Sequence, residues 1–323
     1  MEALTIGVDV GNYDTKTQNC VFPSGYSEYS TKPEIATKIL EYGGKFYVPN
    51  ISERMPYLAD KTTDNRCLIL TVLGIANEIL EQATEQVKKG KIRNPQQFID
   101  QVREIKLGVG LPPGHFNDQK KKLEKYYHDA LDEKIKFKYT DHDKNYEFCI
   151  KMIKLHIFPQ DFMAVYKNIN CKYSDAQRYY IVGIGGGTVD VVPVKEKMPD
   201  ANSCFSLDLG TRIMCNKIAA DIQRQYGQMP DENLVEDVLK GNFTVLSDDI
   251  KELIDKDAKK HFDNIINECI QYGVKLNLYP TIFFGGGCIL LEKYIRNSNM
   301  LKDPEILKDV KANAKAYVIN IDK

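Results

Sequence analysis

The segment Asp9-Val10-Gly11-Asn12-Tyr13-Asp14-Thr15-Lys16 combines a carboxylate, a glycine turn and a lysine. Consecutive N–H groups in such a turn can point at one anion without any side-chain charge. Asp9 is an oxygen ligand of the kind Mg2+ takes, because that ion keeps several waters and binds one or two carboxylates. Lys16 adds a point charge suited to phosphate. Taken alone, the same segment also reads as an ordinary hairpin with a solvated lysine.

A second turn, Gly183-Ile184-Gly185-Gly186-Gly187-Thr188-Val189-Asp190, crowds glycine between two apolar stretches. Each glycine loses entropy on ordering. Close approach of backbone to a ligand offsets that loss, and a bulged hairpin is the other reading. The third, Phe283-Phe284-Gly285-Gly286-Gly287-Cys288, closes an apolar strand where a helix begins. Bare backbone there admits a phosphate or a flat ring; tight helix–strand packing explains the same glycines. None of the three follows GxxxxGK[ST], which disfavours that class of nucleotide hydrolase.

Strand patterns must position these turns. Residues 4–8 and 15–21 flank the first, 179–184 and 189–194 the second, and 281–284 precede the third. Residues 23–62, rich in Tyr, Gly, Pro and Ser, read as a small irregular subdomain. Leu68, Val72, Leu73, Ile75, Ala76, Ile79, Leu80, Ala83 and Val87 recur at helical spacing, with Gly90 where the helix stops. A buried strand at 105–111 is broken by Pro112-Pro113-Gly114. A helix capped by Asn117 or Asp118, extended runs at 134–140 and 145–157, and a helix from about Asp161 follow. The pattern restarts around 174–177, 211–275 reads as mostly helical, and 305–317 as a last helix. Strand-turn-strand appears at 4–21 and again at 179–194, a weak internal duplication.

Bulk properties narrow the partners. The 323 residues are enough for two domains with sizeable cores. Lys plus Arg (44) balances Asp plus Glu (45), so charge recommends neither nucleic acid nor an anionic membrane as a direct partner. The eight cysteines include no CxxC pair, which points to reduced thiols and against structural zinc. The start lacks a basic, then apolar, leader, and no run approaches about 20 apolar residues. The expectation is a soluble, cytoplasmic protein without a membrane partner. His115, His128, His142, His156 and His261 show no ligand spacing. Lys120-Lys121-Lys122 reads as a solvated helix face or a subunit contact. The Tyr-rich 42–57 stretch reads as a protomer interface or a β-rich lid.

In their order, the three turns resemble the phosphate-1, phosphate-2 and adenosine motifs of the actin/Hsp70/sugar-kinase superfamily; GIGGGTVDVVPV is similar to its DLGGGTxDV run. Gly110-Leu111-Pro112, Ser206-Leu207-Asp208-Leu209-Gly210 and Ala312-Asn313-Ala314-Lys315-Ala316-Tyr317 resemble the bacterial plasmid-segregation actins of the ParM/StbA type. The resemblance spans nearly the whole chain. It implies two RNase H-like α/β domains with a nucleotide cleft between them, residues 1–175 (with a small subdomain at about 23–95) and 176–323 (with a helical subdomain at about 211–275). The terminal helix is allowed to return to the first domain.

By the same resemblance, Asp9 sits near Mg2+, and Gly11, Asn12, Tyr13, Asp14 and Lys16 cradle the phosphates of ATP, with GTP as the alternative nucleotide. Gly185, Gly186, Gly187 and Thr188 close over them, and Gly285, Gly286 and Gly287 flank the nucleoside. Gln160, after Phe158-Pro159, corresponds to the residue that orients the attacking water. The family usually opens phosphate-2 with an Asp; here Gly183 stands there, while Asp190 keeps the second acidic position and is the third candidate catalytic residue. The implied function is a filament-forming ATPase that segregates plasmid DNA through a small DNA-binding, ParR-like adaptor. A sugar- or acetate-type kinase on the same fold is the alternative, and an Hsp70-like ATPase ranks below it for want of a peptide-binding domain.

Overall fold

The computed structural model describes residues 2–54, 60–165, 171–173, 175–231, 233–242 and 245–323. Tyr57 of the Tyr-rich stretch and Ser174 of the sequence restart lie outside them. The chain forms two compact units, residues 1–164 with 311–323, and residues 165–310.

The first unit opens with β1 (Leu4–Val10), β2 (Asp14–Thr17), β3 (Val21–Pro23), β4 (Gly25–Tyr29), β5 (Lys38–Tyr42) and β6 (Lys45–Arg54). Next come α1 (Arg66–Lys88), α2 (Pro95–Ile99), β7 (Glu104–Leu111), α3 (Phe116–Leu131), β8 (Ile135–Asp141) and β9 (Lys144–Pro159), with α4 (Phe162–Val165) at the boundary. The second unit holds β10 (Arg178–Ile184), β11 (Val189–Lys195), β12 (Met198–Pro199), β13 (Phe205–Leu207), α5 (Thr211–Tyr226), α6 (Leu234–Leu239) and α7 (Asp248–Gln271). It ends with β14 (Pro280–Phe284), α8 (Gly286–Leu290), α9 (Glu292–Arg296) and β15 (Lys302–Leu307). The last helix, α10 (Ala312–Asn320), belongs to the first unit.

The sheet of the first unit runs β3-β2-β1-β7-β9-β8-β5-β6-β4. β1 and β7 pair in parallel, which requires a crossover, and α1 lies within it. The strands bury Ile6, Val8, Leu107 and Val109, and α1 packs on β1 and adds Val72, Ile75 and Ile79 to the same core. β9 is long enough to serve two partners, antiparallel to β8 at its start and parallel to β7 at its end. Through β8 and β5, the strands within 23–62 join this same sheet instead of forming a separate one. By length and composition α1 could cross a membrane, contrary to the sequence expectation that no run comes close; its apolar residues are mostly buried in this core.

α10 rests on β1 and β7 because glycine clears the way. Gly7 and Gly108 are register partners on the two strands. A Cβ at Gly7 would lie 2.1 Å from the Ala314 carbonyl oxygen, and one at Gly108 would lie 2.8 Å from Tyr317 Cβ.

The sheet of the second unit runs β12-β11-β10-β14-β15, with β13 on β11, and buries Val182, Val191, Phe283, Ile218 and Phe262. Here the expected helix at 305–317 is corrected. Glu305, Ile306 and Leu307 belong to β15 and pair in parallel with Ile282, Phe283 and Phe284. Ile306, Val310, Ala314 and Tyr317 share helical spacing by coincidence of two elements. Pro304 disfavours helix in the residue before it, and Asp303 takes a left-handed φ of 45°.

Candidate functional site

The first cluster is built where β1 ends. Gly11 N–H donates to the Asp14 carbonyl at 3.2 Å and closes the turn into β2. A Cβ on Gly11 would lie 2.9 Å from that oxygen and 3.4 Å from Lys16 Nζ, so the turn tolerates little else there. Lys16 Nζ donates to the Asp14 carbonyl at 3.1 Å. The Tyr13 carbonyl accepts from Ser24 N at 3.0 Å and Arg54 Nε at 3.3 Å, and the Arg54 guanidinium lies 3.5 Å from the Tyr13 ring centroid. Among the described residues, the Asn12 N–H donates to no protein group.

Asp9, on β1, is 5% exposed. Its carboxylate accepts from Gln160 Nε2 at 2.5 Å and from Asn313 Nδ2 at 3.2 Å. Gln160 follows the last residue of β9, and its N–H donates to the Leu111 carbonyl at 2.8 Å, extending the β7–β9 pairing. Gly110 makes room: a Cβ there would lie 2.6 Å from Gln160 Cγ and 2.2 Å from Tyr317 Oη. Asp161 then adopts a left-handed φ of 59°, unusual for a residue other than glycine. Asn313 holds that turn, accepting from Asp161 N at 3.0 Å and donating to Asp161 Oδ1 at 3.4 Å. Tyr317 Oη is buried and, among the described residues, without a hydrogen-bond partner. Burial, then the negative charges of Asp9 and Asp161, push its phenol well above the ordinary range, so it stays neutral.

The second cluster is the loop between β10 and β11. Gly185 N–H donates to the Thr188 carbonyl at 2.9 Å. The carbonyls of Gly185, Gly186 and Gly187 accept from Thr211, Arg212 and Gly210 N–H at 3.0, 2.9 and 3.1 Å. The loop thus satisfies donors that the start of α5 would otherwise leave orphaned. Gly210 is needed at that contact, since its Cβ would lie 2.3 Å from the Gly186 oxygen. The N–H groups of Gly186, Gly187 and Thr188 make no hydrogen bond among the described residues, which leaves three successive backbone donors open to an anion. Asp190 accepts from Thr188 Oγ1 at 3.1 Å and from the Ser206 hydroxyl, which braces the loop against β13. Gly183 lies beside Asp190 and Phe284 in the sheet.

The third glycine run divides by role. Gly285 has φ of 96°, and its Cβ would lie 2.5 Å from the Ile184 carbonyl oxygen. Gly287 is packed against Ile184 Cγ2 and Thr211 Cγ2, at 2.4 and 2.7 Å from a built Cβ. Gly286 has nothing within 4 Å. Gly287→Ala is therefore expected to destabilise the second unit by about 1–3 kcal/mol. Gly286→Ala should leave stability unchanged within about 1 kcal/mol. Thermal unfolding followed by circular dichroism checks both; equal effects would remove the distinction.

The structure thus brings Asp9 and Gln160 together beside the 11–16 turn, and sets 185–188, Asp190 and 285–287 around the β10 end of the second unit. Sequence reasoning missed Asn313 and Asp161 as partners of this network, and also Lys61, whose Nζ donates to the Val10 carbonyl at 2.7 Å. A polar residue amid the alanines of 312–316 was the available signal for Asn313. Among the described residues no three His, Cys, Asp or Glu converge as a metal-ligand group.

Residues 181–297 match a family model described as archaeal actin homologue MreB-like, C-terminal. Among solved structures, the crystal structure of Ta0583, an archaeal actin homologue, is similar over 99% of this chain and 99% of its own, at 18% identity and a TM-score of 0.71. A 15-stranded ParM filament from Clostridium botulinum matches over 99% of each chain, at 20% identity and a TM-score of 0.71. The actin-like protein Alp7A matches over 99% of this chain and 96% of its own, at 15% identity and a TM-score of 0.71. Another Ta0583 structure, similar over 98% of each chain at 18% identity and a TM-score of 0.67, is a complex with ADP. No curated protein matches the sequence. Likeness of this extent at such identities shows the fold: the chain has the two-domain α/β fold of actin-like proteins.

Proposed function

We propose that this actin-like chain binds a nucleoside triphosphate through its glycine turns, hydrolyses it slowly, and assembles into filaments in a nucleotide-dependent way. The observation that carries the reading is the buried Asp9 carboxylate, held by the Gln160 amide at 2.5 Å beside the Gly11 turn. The three open backbone donors at 186–188 support it, as does the ADP complex of a structural relative. The ParM filament and an Alp12 filament structure (TM-score 0.65, 13% identity, 99% of this chain and 98% of its own) support assembly.

The residues fit the roles assigned to them by resemblance. An ionised carboxylate has about four lone-pair sites. Two face amides at Asp9, which leaves acceptors for the water shell of a Mg2+ ion. When bound, that ion would neutralise phosphate charge. Gln160 gives its Nε2 to Asp9, which leaves its Oε1 to accept a hydrogen bond from water. An amide is no base, and its contribution is to place the water, which is much of what phosphoryl transfer requires. The 186–188 N–H groups supply fixed positive dipoles to phosphate oxygens. Gly183 contributes no carboxylate where relatives in the resemblance carry one, so binding should be strong relative to turnover.

In the cell, we place this activity in the cytoplasm, with filaments moving or pairing plasmid DNA through a small DNA-binding adaptor. Head-to-tail contacts that do not close give such open polymers. ATP is the preferred reading and GTP the alternative. Gln160→Ala is expected to slow phosphate release by roughly 10–100-fold while nucleotide affinity stays within about threefold. A coupled phosphate assay beside a fluorescent-nucleotide titration tests this; unchanged turnover removes Gln160 from the reaction.

A further inference from the structure

Lys61 is 6% exposed, and its only hydrogen bond among the described residues is the one Nζ donates to the Val10 carbonyl at 2.7 Å. A lysine ammonium has three N–H donors and no acceptor. Charged side chains this buried are nearly always paired. The adjacent Asp60 does not pair with it: its carboxylate is taken by Lys122, Thr62 Oγ1 and Thr62 N. Among the described residues Lys61 makes no ion pair. Asp9, one residue before Val10, is instead held by the two amides.

Lys61 therefore brings a buried ammonium with two unused donors to the residue that begins the Gly11 turn. Lys16, which bonds the Asp14 carbonyl, brings a second ammonium to the other end of that turn. Both are spent on backbone oxygens of one loop, whose Asn12 N–H has no protein acceptor among the described residues. This donor set, two ammonium groups and a backbone N–H, has the chemistry of an anion site. We propose that Lys61 is a second cationic ligand for a phosphoryl group at the 10–14 turn, one that no feature of the local sequence announces. The inference rests on the nucleotide reading for its preferred ligand, the phosphate chain of a nucleoside triphosphate; free inorganic phosphate shares the same chemistry.

The test uses the full chain as wild type, Lys61→Met, Lys61→Arg and, as a surface control, Lys45→Met. Each is titrated with ATP, adenosine and inorganic phosphate by calorimetry, with thermal unfolding recorded on the unliganded proteins. Lys61→Met is expected to weaken ATP binding at least about tenfold, to leave adenosine binding unchanged, and to be largely rescued by Lys61→Arg. Lys45→Met should match wild type. If Lys61→Met binds ATP as wild type does, the inference is overturned while the nucleotide reading stands. If wild type binds inorganic phosphate but not ATP or GTP, and Lys61→Met loses that binding, Lys61 remains a phosphate ligand and the nucleotide reading falls. If wild type binds none of them, both fall. Should Lys61→Met fail to fold, Lys61→Arg carries the test alone: it is expected to fold and to bind ATP within about threefold of wild type, and failure of either overturns the inference.

Discussion

Gly7→Ala is expected to detach α10 from the sheet of the first unit and to lower its unfolding temperature by roughly 6–12 °C, which corresponds to about 3 kcal/mol in a unit of this size. The added methyl would lie 2.1 Å from the Ala314 carbonyl oxygen, and backbone on both sides prevents a cheap adjustment. The expected loss extends beyond stability, because α10 carries Asn313 to Asp9 and Asp161. Nucleotide affinity should fall along with α10 docking. Gly286→Ala, with nothing within 4 Å, is the internal comparison. Calorimetric unfolding and hydrogen exchange over residues 312–320 would measure the effect. If Gly7→Ala melts within about 2 °C of wild type, the glycine bed under α10 is not what seats the helix.

Asp9→Ala should reduce nucleotide hydrolysis by at least about 100-fold, the scale on which a single charge-placing group acts in such sites. Its folding effect should be smaller. Removing the carboxylate leaves Gln160 Nε2 without its acceptor and Asn313 Nδ2 with Asp161 alone, a cost of about 1–3 kcal/mol that entering water would reduce. Asn313→Ala separates the two roles. It keeps the carboxylate but frees the left-handed Asp161 turn, so it should disturb Gln160 placement and turnover more than binding. Wild-type turnover in Asp9→Ala would remove this residue from the metal and phosphate chemistry.

Much of the fold was legible because local signals and tertiary pairing agreed. The strand read at 105–111 is β7, since its apolar run ends at two prolines. The helix read from 68 to 87 is α1, since its apolar stripe meets β1. Where the two disagreed, pairing won. Residues 305–307 have helical spacing with 310, 314 and 317, yet β14 offers a parallel edge that they pair with instead. α2 escaped notice because one turn, capped by Asn94 and started by Pro95, leaves too short a period to read.

The site was legible in its backbone and less so in its side chains. Glycine turns announce themselves, because four glycines in five positions have few other uses. Even so, sequence could not divide Gly285 and Gly287, which are packing glycines, from Gly286, which is open. Asn313 meets Asp9 across 304 positions, and Lys61 reaches Val10 across 51. Contacts at such separation leave no local spacing to detect. Asp190, read from sequence as acidic chemistry, also has a local part that sequence does not show: it accepts from Thr188 and Ser206 and so braces the loop.

The proposed function requires a nucleotide-dependent filament. Negative-stain electron microscopy, paired with sedimentation of the full chain at high concentration, tests it with ATP, with GTP, with a non-hydrolysable analogue, and with no nucleotide. Filaments are expected to pellet with a triphosphate, to persist with the analogue and to be absent without nucleotide. Protein that remains in the supernatant as unassembled particles under every condition would contradict it.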